Sequence, residues 1–94
     1  MYNFIVSDNL RRNLNRISKK DKILFDKILK KINEIINSDD IDHYKNLKYD
    51  FKDSKRVHIG HFVLIFRYDK KSNMILFDKF KHHDQIYKKG KFFT

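Results

Sequence analysis

Cysteine and proline are absent from this 94-residue chain, and glycine occurs only twice. Without cysteine there is no disulfide framework and no thiolate zinc site, and nothing points to an oxidising compartment. With two glycines and no proline there is no flexible linker and no glycine-rich loop to cradle phosphate. No apolar run approaches the ~20 residues that span a bilayer. The start, Met1-Tyr2-Asn3-Phe4, lacks a basic region ahead of a hydrophobic stretch. A cytoplasmic location and no membrane partner are the resulting expectations. Length excludes a second core, because a chain of this size buries only roughly 60% of the surface its unfolded form exposes. Residues 1–94 therefore read as a single domain.

Apolar residues make up 40% of the chain, with nine Phe and five Tyr, which suffices for a core despite a charged fraction of 36%. The net charge is +10 and unevenly spread. Residues 1–42 hold nine Lys/Arg against seven Asp/Glu, and residues 43–94 hold thirteen against five, so the surplus is +2 in the first part and +8 in the second. A lysine run is often only a solvated face, but a field of this sign also attracts phosphate backbones and gives fast, salt-sensitive association. A polyanion, RNA above all, is the expected ligand of the C-terminal half.

The periodicities predict a β-α-α-β-β-β order. Tyr2 to Val6 reads as a short strand, and Ser7 is placed to cap a helix from Asp8 to about residue 17, with Leu10, Leu14 and Ile17 on one side and Arg11, Arg12 and Arg16 on the other. Ser18-Lys19-Lys20-Asp21 resembles a capping box for a second helix reaching about Asn37, carrying a wide stripe of Leu24, Ile28, Ile32 and Ile35. Tyr44 to Lys55 reads as a loop pinned by Leu47, Tyr49 and Phe51. From Arg56 the period becomes two, Gly60-His61 makes a tight turn, and Phe62 to Tyr68 and Met74 to Phe80 complete an antiparallel meander. The expected fold is α+β in two layers, with both helices on one face of an antiparallel sheet.

Alternation puts Val57 and Ile59 toward the helices and Arg56 and His58 on the opposite face. The bulkier set Phe62, Leu64, Phe66 and Tyr68 is the better core face of the central strand, leaving Val63, Ile65 and Arg67 outside. The segment Lys79-Phe80-Lys81-His82-His83-Asp84-Gln85-Ile86-Tyr87 is the densest in proton-transfer groups. Cations to hold phosphate, histidines to move protons and a tyrosine to stack on a base would together make an RNA site. A strand histidine taken alone is more often a plain surface residue, the reading adopted for His61, and Tyr87 could equally pin a terminal helix. The five histidines lack metal-ligand spacing, so no metal is expected.

The stretch Arg56-Val57-His58-Ile59-Gly60-His61-Phe62-Val63-Leu64-Ile65-Phe66-Arg67-Tyr68-Asp69, followed by His82-His83-Asp84-Gln85-Ile86-Tyr87, resembles the RelE/ParE superfamily of toxin–antitoxin toxins. The order of elements agrees over nearly the whole chain. The resemblance implies a metal-independent endoribonuclease without cofactor, cutting mRNA on the ribosome through attack by the ribose 2′-OH. Its ParE branch implies gyrase poisoning instead, and a non-catalytic nucleic-acid binder is the third reading. Roles then fall to Arg56 and Lys48 for phosphorane charge, His83 or His58 for proton transfer, and Tyr87 for orienting a nucleotide. Lys52, Arg67, Lys79, Lys81 and His82 are the further RNA contacts. Two positions depart from the family pattern: Val63 stands where many members carry Arg three residues after the turn glycine, and His83 where members often carry Arg. The resemblance also implies a cognate antitoxin, expected to be acidic from the +10 charge. Val63 and Ile65, apolar amid cations, are its expected docking patch. The competing reading has residues 82–94, with Ile86, Phe92 and Phe93, folding back over that patch.

Overall fold

The computed structural model describes residues 2–44 and 54–87, the last two by their backbone alone. Strand β1 is Asn3–Val6, helix α1 Asp8–Lys20, helix α2 Lys22–Ile36, strand β2 Ser54–Ile59, strand β3 Phe62–Asp69, strand β4 Met74–His82 and helix α3 His83–Tyr87, with a 3₁₀ turn at Ile41–His43. Lys48 and Lys52, and the loop anchors Leu47, Tyr49 and Phe51, lie outside the described residues.

Helix α1 begins where the sequence places it. The Ser7 hydroxyl accepts from the Leu10 amide at 3.0 Å and itself donates to the Asp78 carbonyl at 2.7 Å, so the cap also fastens the helix to the sheet. The boundary between the helices differs from expectation. Ser18 does not cap α2, because α1 continues to Lys20 and the Ser18 hydroxyl donates back to the Asn15 carbonyl at 2.7 Å. Asp21 takes the role instead, its carboxylate accepting from the Leu24 amide at 3.1 Å. One residue thus ends the first helix and starts the second.

The sheet order is β1-β4-β3-β2. Strands β2, β3 and β4 form the antiparallel meander, turned first at Gly60-His61, where Gly60 has φ +63, and then through Asn73, at φ 55. Strand β1 corrects the all-antiparallel expectation: it pairs parallel to β4, Asn3 opposite Met74 through Val6 opposite Phe77, and the sheet is mixed. The crossover through α1 and α2 returns the chain in its starting direction, so β1 and β2 run the same way at opposite edges, and β4 shares that direction.

Leu10, Ile28, Ile32 and Ile35 pack against Ile59, Leu64, Phe66, Ile75, Phe77 and Phe80 in one core between helices and sheet. Phe62, Tyr68 and Val57 border it, so the aromatic face of β3 does point at the helices. A bulge between Ile65 and Phe66 shifts the β3–β4 register, pairing Ile65 with Lys79 but Phe66 with Phe77. The extra residue, Asp78, keeps Phe77 and Phe80 both facing the core and Lys79 and Lys81 both facing away. None of the described helices is long and apolar enough to cross a membrane.

Candidate active site

The face of the sheet away from the helices is ordered by register. Arg56, Ile65 and Lys79 form one transverse row, and His58, Val63 and Lys81 form the next. Each row has a branched aliphatic centre on β3 with a polar or cationic residue on either side. Val63 is 0% and Ile65 4% exposed, so the expectation that they form an open apolar patch is corrected. The aliphatic stems of Arg and Lys can lie along such neighbours, and the Arg56 Nε atom is itself buried. Phe92 and Phe93, expected to fold back over the patch in the competing reading, lie outside the described residues. A partner touching Val63 or Ile65 would first have to displace the groups that cover them.

His83 reaches the same face from the end of β4. Its amide donates to the His61 carbonyl at 2.8 Å, tying the start of α3 to the β2–β3 turn. The His83 ring then lies with its centroid 5.5 Å from that of His58, at an interplanar angle of 31°. Residues 25 apart in sequence thus become a histidine pair. Asp84 stands beside them, one carboxylate oxygen 3.9 Å from His83 Nδ1 and the other 3.8 Å from His82 Nδ1. Although His58 is exposed, partial desolvation of its imidazole holds it below the ordinary histidine value, and the Arg56 guanidinium and His83 ring add to the effect. At neutral pH His58 is therefore an uncharged base at the edge of a cationic face.

The remaining expected site residues divide. Lys79 and Lys81 belong to the two rows, alongside Arg56 and His58. Arg67 sits on the same face but in the following row, between Ser54 and Leu76, and lines a separate hollow of about 340 Å³ with Tyr68, Asp69 and Met74. His82 turns away from the pair. Its ring meets Phe62 edge-on at 5.4 Å and stacks on His61 at 6.2 Å, its Nδ1 accepts from the Asp84 amide at 3.2 Å, and its own amide donates to Gln85 Oε1 at 3.2 Å. Tyr87 closes α3, one turn beyond His83. The role of Asp84 had no signal in the sequence beyond its place after two histidines, since only the bend into α3 turns its carboxylate toward both rings.

No family model matches the chain. A protein of Methanocaldococcus jannaschii named "Putative toxin RelE4" is 44% identical over 94 residues, covering 99% of this chain and 98% of that protein. A Methanosarcina mazei protein without a described function is 38% identical over 88 residues, covering 93% of this chain and all of the relative. Among solved structures, the isolated RelE toxin of E. coli superposes with a TM-score of 0.71 at 12% identity, over 87% of this chain and 84% of that one. YafQ of E. coli gives 0.68 at 14%, over 93% and 99%. A chain of the toxin–antitoxin complex RelBE2 of Mycobacterium tuberculosis gives 0.58 at 18%, over 86% and 96%. At such identities these structures speak for the fold, whereas the archaeal relative matches from end to end. The chain belongs to the RelE family of toxins.

Proposed function

We propose that this protein is the toxin of a toxin–antitoxin pair and acts as an endoribonuclease on mRNA, engaged with the ribosome. The observation that carries the reading is the His58–His83 pair, 5.5 Å between ring centroids, on the face that also bears Arg56, Lys79 and Lys81. RNA supplies its own nucleophile. His58, neutral at physiological pH, accepts the proton of a ribose 2′-OH as that oxygen attacks the adjacent phosphorus. Arg56, with Lys79 and Lys81, balances the negative charge that builds on the phosphorane oxygens. The P–O5′ bond breaks, and protonated His83 delivers its proton to the departing oxygen, leaving a 2′,3′-cyclic phosphate and a 5′-hydroxyl. Asp84, with a carboxylate oxygen 3.9 Å from His83 Nδ1, helps to orient the ring for that transfer. Lys48 is assigned with Arg56 to the phosphorane charge, Lys52 to a further phosphate contact and Tyr87 to stacking on a base.

The M. tuberculosis chain is described as part of a toxin–antitoxin complex, and this chain's +10 charge suits an acidic antitoxin. With Val63 and Ile65 buried, acidic side chains of the antitoxin would meet the cations that flank them.

Expression in cells followed by mapping of mRNA 5′ ends tests the activity. Fragmented mRNA with 5′-hydroxyl ends is expected. Intact mRNA together with double-strand DNA breaks would transfer the protein to the gyrase-directed branch and end the nuclease reading.

A further inference from the structure

A groove of about 480 Å³ runs between α1 and the end of β4, on the far side of Lys79 and Lys81 from the histidine pair. It exists because β1 pairs with β4 only from Met74 to Phe77, so β4 continues from Asp78 without a strand neighbour on that edge. Helix α1 supplies the donors that the missing strand would have given: Ser7 Oγ to the Asp78 carbonyl, and Asn13 Nδ2 to the Phe80 carbonyl at 3.0 Å. The edge is thereby closed to strand addition. Asn13 also accepts, through Oδ1, from Arg16 Nη2 at 3.0 Å, so the contact that seals the edge holds the guanidinium over the groove.

Charge decides what the groove can take. Arg16, Lys79, Lys81 and His82 line it, with amides from Asn9, Asn13 and Gln85, and no carboxylate is among the lining residues. Among the described residues, Arg16, Lys79 and Lys81 have no ion-pair partner. Leu10 and Phe80 on the groove floor are only 1% and 4% exposed, and the half-buried Ile17, Leu24 and Phe62 complete its apolar part. Its cations, with no carboxylate opposite them, favour an anionic backbone. Lys79 and Lys81 are two residues apart on one strand, about 7 Å, a separation comparable to that of consecutive phosphates in an extended single strand. Both also belong to the rows of the candidate active site.

We propose that the groove is a second phosphate-binding track, in which single-stranded RNA crossing the histidine face passes over the β4 edge and is held by Arg16. The identity of the polyanion rests on the nuclease reading. Lys79 and Lys81 are shared by both surfaces, and Arg16 belongs to the track alone, so Arg16 is the diagnostic residue.

The test uses the full chain and fluorescein-labelled RNA with 2′-O-methyl sugars, which lacks the attacking hydroxyl, so binding is read apart from cleavage. Oligomers of about four and about twelve nucleotides cover the histidine face alone and the face plus the groove. For Arg16→Gln, the slope of log K against log salt is expected to fall by about 0.7 with the longer oligomer, one lost phosphate contact, and to stay unchanged with the shorter. Lys30→Gln, an exposed α2 cation outside the groove, is expected to change neither. The proposal fails if Arg16→Gln matches wild type on the longer oligomer, or if Lys30→Gln lowers the slope equally, which would mean diffuse charge alone. It also fails if Arg16→Gln weakens binding of poly-glutamate while leaving RNA untouched, which would make the groove an acidic-peptide site. A protein that shows the Arg16 effect but cuts no 2′-hydroxyl RNA keeps the track and loses the nuclease.

Discussion

On the helix side of β3, Leu64 and Phe66 are sealed in the core with Leu10 of α1 and with Ile28, Ile32 and Ile35 of α2; on the other side Val63 and Ile65 are as inaccessible, yet their register neighbours are Arg56, His58, Lys79 and Lys81. One face is closed by hydrophobic elements packed across it. The other carries cations and histidines beside its buried aliphatics. The first arrangement stores stability, since apolar area removed from water on both partners contributes roughly 25 cal/mol per Å². The second holds charged groups at the rim of water, where they can meet a ligand, and a buried aliphatic centre spaces them across the sheet. The two faces should therefore answer mutation differently.

Phe66→Ala is the sharpest way to break the helix side. The ring is 0% exposed and packs against Phe77 at 5.8 Å and Tyr44 at 5.6 Å. A loss of about 3–5 kcal/mol in unfolding free energy is expected from urea titration, as for large aromatic deletions in cores. His83→Ala should reverse that pattern. The rate of RNA cleavage is expected to fall about 10²–10³-fold, while the urea midpoint shifts by no more than about 0.5 kcal/mol would produce. Equal rates for His83→Ala and wild type would remove the histidine pair from the mechanism. Ile65→Ala lies between these cases. Deleting a buried aliphatic costs about 2–5 kcal/mol, and the lower end is expected here because flexible neighbouring side chains can settle into the space. A loss as large as that of Phe66→Ala would mean that the outer face is as rigid as the core.

The smallest effect is a titration. Partial desolvation, Arg56 and His83 all lower the His58 pKa, so the folded state binds a proton less readily than the unfolded chain does. Between the lowered folded value and the unfolded value near 6.5, the unfolded chain carries more protons, and stability rises with pH. This contribution is complete above the unfolded pKa, and below the folded pKa the full cost of protonating His58 in the fold is felt. Two-dimensional NMR of the imidazole ring should show His58 titrating below a histidine in an unfolded peptide. Arg56→Gln removes one of the lesser causes and should raise the midpoint toward the ordinary value, shifting the acidic limb of kcat/KM the same way. A His58 midpoint unmoved by that substitution would mean that Arg56 and His58 do not sense each other across the strand.

Residues with a strong local period could be read from the sequence alone. The stripe Leu24, Ile28, Ile32, Ile35 could be nothing but a helix face, and the alternation from Arg56 to Ile59 by itself sets Arg56 and His58 opposite the core. The turn at Gly60-His61 followed from local chemistry as well. The helix boundary was misread because Ser18-Lys19-Lys20-Asp21 has the form of a capping box, whereas Ser18 donates to the Asn15 carbonyl within α1 and Asp21 caps α2.

What local pattern could not decide was everything set by partners distant in the chain. The parallel pairing of β1 with β4 depends on how the helical hairpin returns the chain, and no residue in Asn3–Val6 encodes the direction of its neighbour. Val63 and Ile65 looked exposed because alternation assigns a face but does not say what lies beside a residue on the adjacent strands. The pairing of His58 with His83, the aim of Asp84 and the Arg16–Asn13 link to the β4 edge arise from the register, the β4 bulge and the bend into α3. Composition and periodicity determined an α+β chain with a basic face. Tertiary structure decided which of its cations and histidines meet, because a site is a matter of distance in space, and residues 25 apart acquire one only when the strands between them are paired.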